Sequence, residues 1–130
     1  MEKHCVNPWE WQDQFGFSQA WRVDDPDSVV KISGQTAVGP GGDVKHPDDF
    51  AGQVRTVFEN LTTVLEQSGG SLDDVVKLGA YVTEEDHVQE YSRIQQEFFT
   101  GESPSQSLLV VKALALPDLM VEVEATAFLG

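Results

Sequence analysis

Between residues 49 and 68 the apolar side chains Phe50, Val54, Val57, Phe58, Leu61, Val64 and Leu65 recur at steps of three and four. That spacing gathers them onto one face of a helix, and a helix with one apolar face must lay it on something. Asp48 or Asp49, after Pro47, is placed to cap its start, and Gly69-Gly70 to stop it. Residues 75–82 then run Val-Val-Lys-Leu-Gly-Ala-Tyr-Val, rich in the residues that suit a pleated strand. A long amphipathic helix leading into such a strand points to helices layered on a sheet.

Further elements fill in around this unit. Residues 18–23 and 29–33 read as strands joined by the turn Asp24-Asp25-Pro26-Asp27, hence as a hairpin. The run Gly39-Pro40-Gly41-Gly42-Asp43 is a loop, and Ser71-Leu72-Asp73-Asp74 suits a short capped turn. A second helix over about residues 86–99 carries Val88, Tyr91, Ile94 and Phe98 at helical spacing and ends by Gly101; strands follow at 107–113 and 120–128. The order β-β-α-β-α-β-β predicts a single α+β domain over residues 1–130, with one mixed sheet and both long helices on one face. In the last strand Val121, Val123, Ala125 and Ala127 point one way, to the helices, and Met120, Glu122, Glu124 and Thr126 the other. A face mixing apolar and carboxylate groups favours cover by another subunit, so an oligomer is expected.

Charge narrows the partners. The chain has 8 Lys and Arg against 22 Asp and Glu, net −14, so nucleic acid and anionic membrane surfaces should repel it. One cysteine, Cys5, makes no intrachain disulfide, and the first residues show no secretory pattern, so a cytoplasmic location is expected. No apolar run approaches the roughly 20 residues that span a bilayer. Asn60-Leu61-Thr62 matches a glycosylation acceptor but falls inside the first helix.

Candidate chemistry is sparse. His4, His46 and His87 have no ligand spacing, and no metal is expected. The glycine-rich loop lacks the Lys-Ser/Thr of a phosphate loop. Cys5 sits in a terminus expected to be mobile, without an assigned base. Trp9, Trp11, Phe15 and Phe17 form a dense aromatic group, read as core or interface packing ahead of ligand stacking. Ser33-Gly34-Gln35 closes a strand and either presents backbone amides to a ligand or serves the turn alone. Glu122 and Glu124 share a strand face with Cα atoms roughly 6.5 Å apart. Burial and like charge would raise one carboxyl toward a useful acid or base; equally, they are two solvated glutamates on an edge strand.

Several of these pieces occur together in one known pattern. Ser33-Gly34-Gln35, a helix with Gln53 and Asn60-Leu61, Asp74-Val75-Val76-Lys77, Phe98-Phe99, and Pro104 through Pro117 leading into Val121-Glu122-Val123-Glu124-Ala125-Thr126-Ala127 stand in order. Over residues 15–129 the chain resembles the RidA/YjgF family, the reactive intermediate deaminases. The resemblance implies a chorismate-mutase-like α+β subunit, a homotrimer whose sheets form a central barrel, and small-molecule sites in the clefts between subunits. It also implies cofactor-independent hydrolysis of enamines or imines to 2-keto acids, with an Arg forking the substrate carboxylate and a Glu orienting water. Some relatives carry the labels ribonuclease or translation inhibitor, which the charge here disfavours.

By resemblance Glu122 is the water-handling Glu, and Ser33 and Gly34 are strand-end residues of the cleft. Phe17 stands where many members have Tyr, Ser92 where some have Asn, and Leu108 where some have Cys. The main departure is Gln106, which takes the Arg position in Pro104-Ser105-Gln106-Ser107. Gln bonds a carboxylate without charge, so a weaker hold on an imino acid is expected. None of the eight cations stands at the motif position; Lys31, on the face of Ser33, is the nearest candidate, and Lys112 lies too far along its strand. Two functions follow: an imine hydrolase for a less anionic substrate, or a non-catalytic small-ligand module.

Overall fold

The computed structural model describes all of residues 1–130. Six strands and two long helices follow in the order β1 (Glu2–Val6), β2 (Ala20–Asp24), β3 (Ser28–Thr36), α1 (Phe50–Gln67), β4 (Val75–Val82), α2 (Val88–Phe98), β5 (Ser105–Val110) and β6 (Val121–Leu129). The main sheet runs β3-β6-β4-β5, with β4 and β5 parallel and β6 antiparallel to both of its neighbours. The expected parallel pair is therefore the one joined through α2. The final strand inserts between β3 and β4.

Periodicity is realised as read. Phe50, Val54, Val57, Phe58, Leu61 and Leu65 of α1, with Tyr91 and Ile94 of α2, are buried against Ile32, Leu78, Ala80, Val82, Val121, Val123, Ala125 and Ala127. Those sheet residues all lie on one face, so both helices cover one side and leave the other open. Asp49 caps α1 by accepting from the Gly52 amide, and Ser71 and Asp74 close a reciprocal capping box on the 3-10 turn Leu72–Asp74. No helix is long and apolar enough to cross a membrane.

The expected N-terminal hairpin does not form. β2 pairs with β1, which stands in place of the mobile terminus expected there, in a separate two-stranded sheet, and β3 pairs with β6. The turn was real: Asp25 is left-handed at φ 51°. A turn fixes where the chain reverses and leaves open which edge the next strand joins. Cys5 consequently lies in an ordered strand, its Sγ bonded to Ser18 Oγ at 3.1 Å and accepting from Asn7 Nδ2 at 3.2 Å. β5 begins at Ser105 and ends at Val110, so Lys112 falls beyond the strand.

Beyond β2 the N-terminal segment also borders the main sheet. Ser18 makes a parallel bridge with Ser105, its amide donating to Pro104 O at 2.9 Å, and Trp21 Nε1 donates to Ser103 O at 2.9 Å. These bonds fix Phe17 beside β5.

Candidate functional site

Cross-strand register separates the expected site residues into two groups. Gln106 pairs with Leu78 and Leu108 with Ala80, which puts both on the helix-covered face. Glu122 pairs with Tyr81 and Glu124 with Gly79, on the open face. Within one subunit Gln106 and Glu122 are thus on opposite sides of the sheet.

The first group lines one cavity of about 300 Å³, bounded by Phe15, Phe17, Val88, Ser92, Gln106 and Leu108. Four of the expected residues, Phe17, Ser92, Gln106 and Leu108, are brought together here; Phe15 and Val88 join them. Phe15 ends the 3-10 helix Trp11–Phe15 and Phe17 follows it across Gly16, each packed edge-on against Trp11. Gly16 between them is left-handed at φ 75°, and a Cβ there would stand 2.7 Å from Gln96 Cδ. Only glycine lets this turn approach α2 so closely. The aromatic group thus stays out of the main core, with Trp11 54 % exposed and Phe15 45 %.

Gln106 has a partner that the sequence did not signal. The fully buried Tyr91 of α2 donates its hydroxyl to Gln106 Oε1 at 2.7 Å. Burial pushes this phenol far above the ordinary tyrosine range, so it remains a neutral donor. With Oε1 occupied, Gln106 offers the cavity its amide N–H groups.

The second group lies around the paired glutamates. Between Ile32 and Gln35 the register with β6 slips, so Ser33 and Gly34 form a bulge. The Glu122 side chain lies over this bulge, where a Cβ on Gly34 would stand 2.6 Å from its Cδ. Gly79 gives Glu124 the same room, and Tyr81 donates its hydroxyl to Glu124, which raises the Tyr81 phenol above its usual range. Glu122 is partly buried, Glu124 exposed. Beside them Lys31, Ser33, Lys77, Gly79, Glu124 and Thr126 border an open hollow of about 410 Å³, where Lys31 Nζ donates to Thr126 Oγ1 at 2.9 Å. Lys31 shares the Glu122 face and so cannot serve Gln106 in the same subunit.

Other residues resolve as structural. Gln53, fully buried, donates to His46 O and Asp118 O and accepts from the Met120 amide; Asn60 donates to Thr36 O and Val38 O. Both clip loops to α1. Cys5 is held protonated by desolvation, which raises its thiol. His4 meets Glu2 at 3.4 Å and Asp24 at 3.9 Å across β1 and β2, where Arg22 already shares Asp24 at 3.1 Å.

A family model described as Endoribonuclease L-PSP matches residues 12–129. A crystal structure of a protein of unknown function of the conserved Rid family, YyfB from Yersinia pestis, is similar with 31% identity and a TM-score of 0.90, over 99% of this chain and 100% of that one. A member of the YjgF/YER057c/UK114 family from Mycobacterium tuberculosis shares 31% identity at a TM-score of 0.69, over 98% and 100%. RidA from an Antarctic Psychrobacter shares 29% at 0.73, over 86% and 87%.

Proposed function

The chain belongs to the RidA/YjgF family, and from that premise we propose that it hydrolyses enamines or imines at sites shared between subunits of a homotrimer. The observation that carries this reading is the Glu122 carboxylate seated over the Ser33–Gly34 bulge, in space that any side chain at position 34 would take. Glu122 accepts a proton from water as the oxygen attacks the imine carbon. Returned to nitrogen, that proton completes the carbinolamine; the C–N bond then breaks as the carbinolamine hydroxyl proton passes by way of Glu122 to the departing nitrogen, which leaves a ketone and ammonia. Gln106 and Ser92 hold the substrate's polar end from the other subunit, and Phe17 and Leu108 enclose its body. Because Gln106 and Glu122 lie on opposite faces of one sheet, the assembled site requires a second copy.

Imines released in situ by an amino-acid oxidase should decay faster with the protein than in buffer, and Glu122→Gln should abolish the gain. Gly34→Ala should also lower it, by displacing a flexible carboxylate at little cost to folding. Decay at the buffer rate across a range of side chains overturns the hydrolase. Gln106, which supplies no charge, favours the second reading: a binding module whose ligand stabilisation survives Glu122→Gln. Ribonuclease activity, suggested by the family's description, has the net charge of −14 against it.

A further inference from the structure

The cavity at Gln106 does not end at Ser92. Phe15, Val88 and Ser92 also wall a second cavity of about 500 Å³, whose remaining lining includes Arg93, Gln89 and Gln96 of α2. The two adjoin across these shared walls, and together they make a trough between α2 and the N-terminal aromatic turn, with Arg93 at its exposed end. In a chain with 22 acidic residues, no carboxylate lines this trough.

Arg93 is also the cation left over. Arg22, Lys45 and Arg55 pair with carboxylates, while Lys3, Lys31 and Lys77 bond to a carbonyl or hydroxyls. Only the Arg93 and Lys112 side chains have no polar partner, and Arg93 lies on the trough wall, one residue from Ser92. A guanidinium with no anion, in a trough without acids, beside apolar rings and the free amide of Gln106, is complementary to an anion that carries an apolar body.

We propose that this trough binds an amphipathic carboxylate, with its acid group on Arg93 and its apolar body against Phe15, Phe17 and Leu108. The positive charge absent at Gln106 is supplied from α2, farther along the ligand. The selected acids are those in which an apolar spacer separates the carboxylate from the group at Gln106. The inference rests on reading the Gln106 cavity as the ligand site, and makes no use of the chemistry at Glu122.

Equilibrium binding tests it without turnover. Calorimetric titrations of the full chain would compare 3-phenylpropionate and 4-phenylbutyrate with their neutral amides, for the unaltered chain, Arg93→Gln and the charge-matched control Lys112→Gln. The acids should bind about tenfold tighter than the amides, as expected of one charge-assisted pair near a surface. Arg93→Gln should erase that preference and Lys112→Gln should keep it. Equal binding of acid and amide, a preference that survives Arg93→Gln, or no binding at millimolar acid overturns the proposal. Acids that bind through Arg93 while imines decay at the buffer rate would sink the hydrolase and leave this inference standing. Imine hydrolysis with no acid binding would do the reverse.

Discussion

Gln106 is oriented by a neighbour that does not ionise while the chain is folded. Tyr91 is wholly buried and donates to Gln106 Oε1, so the amide turns its N–H groups to the cavity at any physiological pH. The same burial has a consequence for stability. The Tyr91 phenol is raised above its ordinary value near 10, so its contribution is fully present below that pH. It is lost as pH rises further, because the unfolded chain releases a proton that the folded chain keeps. Above about pH 10 the loss amounts to roughly 1.4 kcal/mol per pH unit from this group. Tyr91→Phe should therefore cost about 1 kcal/mol at neutral pH, where Gln106 loses its partner, and then decline less steeply with alkali. Denaturant melts of both proteins from pH 8 to 11 would check it; parallel declines would mean that Tyr91 is not the group that resists ionisation.

Elements whose residues repeat at one period were legible, and elements defined by their partners were not. α1 fell within a residue of its expected ends and β4 matched residues 75–82, because an uninterrupted apolar period signals burial directly. β1 was missed because Glu-Lys-His-Cys-Val carries no such signal; it is a strand only because β2 offers an edge. The site divides in the same way. Phe17, Ser92, Gln106 and Leu108, each singled out in the sequence, line one cavity, whereas Phe15, Tyr91 and Arg93 depend on how α2 meets the N-terminal turn, which no local pattern encodes. Gln53 and Asn60 stood out in the sequence, and the fold makes them fasteners of loops. Gln53→Leu would fill the space yet strand two carbonyls and an amide. It should cost about 3 kcal/mol, roughly 10 °C in Tm, by calorimetry. A loss under about 1 kcal/mol would mean that water replaces all three bonds.

At the scale of the whole molecule, one side of the main sheet has no cover from its own chain. It presents Glu122 and Glu124 with Lys31, Lys77 and Tyr81, and apolar groups are also left outside, with Val29 51 % and Leu109 52 % exposed. Closing such a face against copies of itself removes apolar surface from water, which favours association. Against this works the charge of each subunit, −14, repeated on every copy. These charges repel across the solvent over about one Debye length, roughly 10 Å at 0.1 M salt. The apolar contacts that favour assembly are not screened. Association of this chain should thus tighten as salt rises, opposite to an interface held by ion pairs. Sedimentation at micromolar protein, at about 0.02 M and about 0.5 M sodium chloride, separates the cases. The trimer fraction should grow with salt. Dissociation on adding salt would assign the interface to charge pairs, and a monomer at both ionic strengths would remove the shared site on which the hydrolase reading depends.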